Sequence, residues 1–509
     1  MITFKLTHNA SSGGWGLHMN ILLISAFLLG GCTVPNAEPS AIDTDTTGLR
    51  ITQSIKEIYE KNPNGKNWVL VGDTIVRKKD VKLHTPPKQV DLGDLKKKDG
   101  SAIKYVAIGS SLTAGVREGG LHQEGQLTSF PNLLARQMLI ADFSQPLFGD
   151  NDFNGYGYKT LSSYSDTQVP KYKAVSNNNA IRGNKGEFSL LNKYTGKIDN
   201  YGIPYILDPG FYYTTSGMLE NDKTEKQNRF IIFLERTLLD IRDKGLFVPS
   251  EKDIAKGEVY APIYILKAKN YDIFTLETGF EDFLYFALKG GENKSNRYGL
   301  TYFNYRFSDQ TKDFLSDARI KNMKGIVFTI PDVMDFPYFN LVKTNRLQDI
   351  NKSNIYDETG NVTSSTTLFL PNLAIDSLLN REIKGNKKGL NQKNTLADED
   401  IVTDDEIKDI KYYADFLNNN IRERARYYNY PVVDLYDIYK KIHSFNYVSR
   451  DGVKVDPTFL KGNFYSSDGI YPSAFGQAVI ANEVIYMLNF YYGTKIPYID
   501  SKEYLLTKK

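Results

Sequence analysis

The chain has 509 residues, a formal net charge of +3 and 24% charged residues, a near-neutral balance that gives no electrostatic footprint for nucleic acid. Its 35 Tyr and 28 Phe exclude a disordered chain. The length suffices for one large α/β domain or two smaller ones, and no internal repeat is apparent.

In chain order, the first readable stretch is Met19-Asn-Ile-Leu-Leu-Ile-Ser-Ala-Phe-Leu-Leu-Gly-Gly-Cys32, which ends on the single cysteine. Its apolar run is too short to span a bilayer but suits a signal-peptide core. It resembles a bacterial lipobox, which implies cleavage before Cys32 and lipidation of that thiol. A lipidated Cys32 excludes a disulfide within the chain, so the core must hold the fold. Residues 1–31 thus read as a lipoprotein signal peptide with an N-terminal extension, and 32–100 as a tether plus a small segment. Within that segment Ile51, Ile55, Ile58 and Tyr59 space like a short helix. Trp68-Val-Leu-Val and Thr74-Ile-Val read as a hairpin across Gly72-Asp73.

Tyr105-Val-Ala-Ile-Gly-Ser-Ser-Leu-Thr-Ala-Gly115 is a buried strand feeding a Gly/Ser turn and a helix start, one way an α/β sheet presents a hydroxyl at a strand's carboxyl end. Residues 150–200, rich in Gly, Asn, Tyr and Ser, lack periodicity and read as long loops above the sheet. Arg229 to Ile241 has the density of a buried helix. Tyr271 to Asp282 reads as a strand ending in a turn, and Gly325 to Ile330 as the next buried strand. The acids Asp398, Glu399, Asp400, Asp404 and Asp405 read as helix-start chemistry rather than a cation site, because Thr403-Asp-Asp-Glu406 is a capping box. Ile407, Ile410, Ala414, Leu417 and Ile421 follow as an apolar helix face. Pro431-Val-Val-Asp-Leu reads as the last core strand.

Gly109-Ser110-Ser111-Leu112-Thr113-Ala114-Gly115 and Asp468-Gly-Ile-Tyr471-Pro-Ser-Ala-Phe-Gly476, running on through Ile480-Ala-Asn-Glu483, resemble the first and last blocks of the SGNH (GDSL-type) hydrolases, closest to their Bacteroidetes lipoprotein branch. The resemblance covers residues 102–488 and implies an α/β fold over 101–500: three layers, α/β/α, around a parallel flavodoxin-like sheet. It also implies that Ser111 is the nucleophile, its N–H part of the oxyanion hole, and Asp468 the triad acid. Gly202 falls where the family's second block places an oxyanion glycine, and it reads equally as a plain turn residue. No cofactor and no metal is implied.

Two positions depart from the family pattern. Tyr471 stands where the histidine belongs, and Glu281, in Gly279-Phe280-Glu281-Asp282, stands where an asparagine donates to the oxyanion. An imidazole with a pKa near ~6.5 shuttles the serine proton, whereas a phenol near ~10 is already protonated. A carboxylate facing developing negative charge opposes it, and loss of one proper donor costs roughly 10²–10³ in rate. His8 and His18 leave with the signal, so His84, His122 and His443 are the remaining imidazoles. Glu281 acts as donor or base only if burial raises its pKa.

Two readings follow. One is an outer-membrane lipoprotein, periplasmic or surface-facing and anchored through Cys32, that has lost ordinary esterase chemistry and binds a glycan, a lipid or an outer-membrane protein. The other is a working ester hydrolase on acylated carbohydrate or lipid with a non-standard base. Ser111 as a plain helix-start residue and Asp468 as an Asx-turn residue stand beside both.

Overall fold

The structure is a computed structural model. It describes residues 49–50, 68–71, 74–77, 81–175, 178–182, 190–191, 194, 196–205, 270–291, 311–383 and 385–507. Cys32 and its apolar run, the 51–59 helix pattern and the 229–241 helix lie outside these. No helix among the described residues is long and apolar enough to cross a membrane.

The protein is an α/β protein built on one parallel sheet of five strands. These are β1 (Tyr105–Gly109), β2 (Asn200–Gly202), β3 (Ile273–Leu276), β4 (Lys324–Phe328) and β5 (Val432–Val433), in the spatial order β2-β1-β3-β4-β5. All four pairings are parallel, with Ile273 opposite Tyr105 on one side of β3 and Lys324 on the other. β1 and β3 are buried at every residue, as parallel strands covered on both faces must be. From β1 the chain goes to β2 on one side, whereas β3, β4 and β5 step away on the other.

α2 (Phe130–Gln137) and α6 (Ala474–Tyr491) pack on each other, and α3 (Phe280–Leu288) packs on α4 (Asp404–Tyr428). In α6 every residue from Ala474 to Ile485 is buried, as expected where a helix has no solvent face; the last turn emerges, with Phe490 exposed. α4 starts on the Thr403/Glu406 box, in which the Thr403 N–H and hydroxyl both donate to Glu406 Oε2 at 2.7 Å. Its Ile410, Ala414, Leu417 and Ile421 are buried. Asn418 on the same face clamps the chain beyond β4, accepting from Ile330 N (2.8 Å) and donating to Ile330 O (3.0 Å).

Outside the main sheet, Trp68–Val71 and Thr74–Arg77 pair antiparallel, as the hairpin reading expects. The stretch read as unstructured loop above the sheet contains a second hairpin, Lys159–Ser165 with Gln168–Ala174. Its strands are mostly exposed or half-buried, so it shows little of the hydrophobic alternation by which half-buried strands are recognised. It is tied down at several points. Lys159 N donates to Glu118 O (2.7 Å), Tyr172 Oη to Ser467 O (2.8 Å), and Val169 N to Asp376 Oδ1 (3.0 Å).

Gly202, at the end of β2, lies against the helix that follows β1; a Cβ there would sit 2.3 Å from Ala114 N and 2.6 Å from Thr113 C. Both are backbone atoms, so no rotamer change relieves the clash. Gly202→Ala is expected to cost about 1–3 kcal/mol, read as a lowered denaturation midpoint at unchanged denaturant slope.

Candidate functional site

In a sheet of this order the crevice opens at the carboxyl ends of the two strands where the winding reverses, here β1 and β3. β1 ends at Gly109. Ser110 is extended, and α1 (Ser111–Ala114) makes one turn before Gly115 stops it at φ 86°. The turn folds back on the strand so tightly that a Cβ on Gly109 would lie 1.9 Å from Thr113 Oγ1. The Ser111 side chain is thereby fixed at the crevice, and it is fully buried.

β3 delivers two carboxyls to the same place. Glu277 follows its last residue and takes the Ser110 N–H (2.9 Å), the Ser110 hydroxyl (2.9 Å to Oε1) and the Thr113 hydroxyl (3.0 Å), with the Thr113 N–H as a further donor. Burial raises the Glu277 pKa, opposed by these four donors. Four residues on, Glu281 sits in the first turn of α3, after Gly279 at φ 93°. Its carboxyl is hydrogen-bonded to the Ser111 hydroxyl and receives the Tyr471 hydroxyl, 3.2 Å from both oxygens.

Burial pushes the Glu281 pKa up to about 8. Glu277 and Asp282 add to this, while the Ser111 and Tyr471 hydrogen bonds oppose it. The condition set from the sequence for Glu281 to act as donor or base is thus met: it is buried, and its raised pKa favours the neutral acid near pH 7 because the site is too dry for its charge. Tyr471 is buried too. Burial first, then Glu281 and Tyr205, raise its phenol well above the usual value, so it stays protonated and does not act as an ionised base.

Asp468 faces elsewhere than a triad acid would. Its Oδ1 accepts from Ile470 N (2.8 Å) and Tyr471 N (3.0 Å), and its Oδ2 from Gly119 N (3.0 Å). The Ser466 hydroxyl is a fourth donor. This is the Asx-turn geometry, and it pins the loop before α6 to the loop after α1. Ser473 then caps α6 by accepting from Gly476 N (3.1 Å). Gln477, one turn into α6, accepts from Phe130 N (2.9 Å) and donates to Leu112 O (3.2 Å). The first and last motifs are thus in contact.

The Gly202 amide is spent on Asn200 Oδ1 at 2.9 Å. The amide that faces Ser111 is that of Tyr205, 2.8 Å from Oγ. Each described histidine is engaged away from Ser111. His84 meets the Tyr504 hydroxyl at 2.7 Å, and burial together with Arg136 lowers its pKa to about 4. His122 caps a short helix through Gly125 N and lies 3.6 Å from Glu118. His443 meets Asp335 O at 2.8 Å. Of the acidic cluster, Asp400 pairs with Lys388 (2.8 Å) and Asp405 with Lys408 (2.9 Å). Among the described residues no group of three His, Cys, Asp or Glu side chains could hold a metal ion.

Sequence reasoning missed Glu277 and Tyr205. Glu277 carries a faint signal, a lone acid directly after a buried strand. Tyr205 carries none. Comparison with protein-family models finds no model that matches this chain, and comparison with curated proteins finds no match either.

Proposed function

We propose that this chain is an outer-membrane lipoprotein of SGNH-hydrolase type, tethered through Cys32, in which serine hydrolysis is impaired and the domain acts by binding. The strand order β2-β1-β3-β4-β5, a serine at the end of β1 and an Asp468–Tyr471 loop beside it all fit that fold, with its three layers. One observation carries the loss of activity. The Ser111 hydroxyl is held by Tyr471, Glu281 and the Tyr205 N–H, and neither side chain is an ionised base at neutral pH. Ester hydrolysis needs a group that takes the serine proton near pH 7 and returns it to the leaving group. The ligand classes in keeping with an anchored domain are a glycan, a lipid or an outer-membrane protein.

The test is hydrolysis of p-nitrophenyl esters of several chain lengths at pH 7. Rates at background, unchanged by Ser111→Ala, are expected; turnover that Ser111→Ala abolishes would overturn the reading. The second reading, an active hydrolase with Glu281 as base, is favoured by the Ser111–Glu281 hydrogen bond. It requires Ser111 to be labelled by a fluorophosphonate increasingly as the pH passes 8, and absence of label at high probe concentration ends it.

A further inference from the structure

Tyr205 combines three features at the described end of the segment after β2. Its backbone is left-handed, at φ 58°, a conformation that costs a tyrosine about 1 kcal/mol or more and concentrates at functional sites. Its N–H lies on Ser111 Oγ. Its ring meets the Tyr471 ring edge-on, with centroids 6.3 Å apart and planes at 79°. The segment leading to it is pinned, since Ile203 N donates to Gly109 O (2.9 Å) and Pro204 fixes the next φ. Ser111 is fully buried, whereas Tyr205 itself is half-buried.

We propose that Tyr205 is a displaceable plug over a closed binding site, its N–H and ring holding the place of an uncharged ligand group, a hydroxyl or carbonyl, that would meet Ser111, Glu281 and Tyr471. This rests on reading the Ser111 cluster as a binding site. The ligand class follows from the surroundings. Ser111 and Tyr471 offer hydroxyls and Glu281 a buried carboxyl beside them, and a pocket this dry disfavours a charged ligand group as it disfavours the charge on Glu281. The Tyr205 N–H is the kind of partner a ligand O–H or N–H would replace, so displacement leaves no polar group unpaired.

The test reads access rather than catalysis. In the full chain with Cys32→Ser, which removes the only native thiol, Ser111→Cys places a thiol at the site. Its modification is followed with uncharged methyl methanethiosulfonate and with the anionic sulfonatoethyl analogue at one fixed pH. With Tyr205 present the thiol should be protected. Tyr205→Gly, which removes the ring and accepts the positive φ, should speed modification by the uncharged reagent by about tenfold or more, as expected when a buried group gains solvent access. The anionic reagent should lag behind it. Tyr205→Phe should stay protected, and Tyr205→Ala should open the site even if Tyr205→Gly alters the fold. Equal rates with and without the ring, in variants of native circular dichroism, overturn the plug; an anionic reagent as fast as the neutral one overturns the ligand class. Ester turnover by the unmodified chain would overturn the proposed function and leave the plug standing.

Discussion

Glu277→Ala should be the most damaging single change near the site, lowering stability by several kcal/mol or abolishing folding. Glu277 receives the Ser110 N–H, the Ser110 and Thr113 hydroxyls and the Thr113 N–H in a place without water access. Removing the acceptor strands those donors, and each buried unsatisfied group costs about 1–3 kcal/mol. The two hydroxyls can rotate toward other acceptors. The Ser110 amide cannot, because β1 and α1 fix it. An offset comes from removing a carboxyl whose own burial is unfavourable, as its raised pKa shows. Glu277→Gln keeps one acceptor oxygen and should fall between wild type and Ala. Urea unfolding of the three proteins, with the Ser111 environment followed by NMR, checks this; an Ala variant within 1 kcal/mol of wild type on the scale of a single net hydrogen bond would disprove it.

Glu281→Gln should abolish a pH dependence rather than a structure. The Glu281 pKa is about 8 in the folded chain, against an ordinary 4.5. A raised acid stabilises the fold fully below its unfolded pKa, and that contribution is lost as pH climbs toward the folded value. Between pH 6 and 8 the folded chain holds a proton that the unfolded chain has released. At 1.36 kcal/mol per unit, Glu281 should cost wild type on the order of 2 kcal/mol across that window. Asp332, pushed up to about 6 mainly by burial, and His84, lowered to about 4, act alike in both proteins, so the comparison isolates Glu281. The amide of Gln can still donate to Ser111 and accept from Tyr471, so Glu281→Gln should match wild type near pH 6 and exceed it at pH 8. Parallel curves of stability against pH for the two proteins would show that Glu281 is ionised throughout.

Much of the scaffold was legible where local chemistry and tertiary packing agree. Tyr105 to Ile108 is an apolar run closed by Gly109, and it became the strand it resembles. The Thr403/Glu406 box and the spacing from Ile410 to Ile421 located the longest described helix and its buried face. The site was legible as a set of positions but not as chemistry. Sequence records that residue 281 is acidic, yet whether it carries charge depends on how dry its surroundings are. Asp468 lies three residues from Tyr471, which in the family suggests an acid orienting a base. Its second oxygen is instead taken by Gly119, 349 positions away, a partner no spacing announces. The Lys159–Ala174 hairpin was invisible because solvent reaches much of both strands.

Gln477 holds the Leu112 carbonyl from 365 positions further along the chain. Closing so long a loop is entropically slow and waits on the rest of the polypeptide. A growing chain can lay down β1 early, but its serine turn stays incomplete until synthesis has passed Gln477. Assembly of the Ser111 corner is thereby deferred to a late stage of folding. A premature stop before α6 should leave an exposed, aggregation-prone sheet rather than a shortened protein with its serine turn in place.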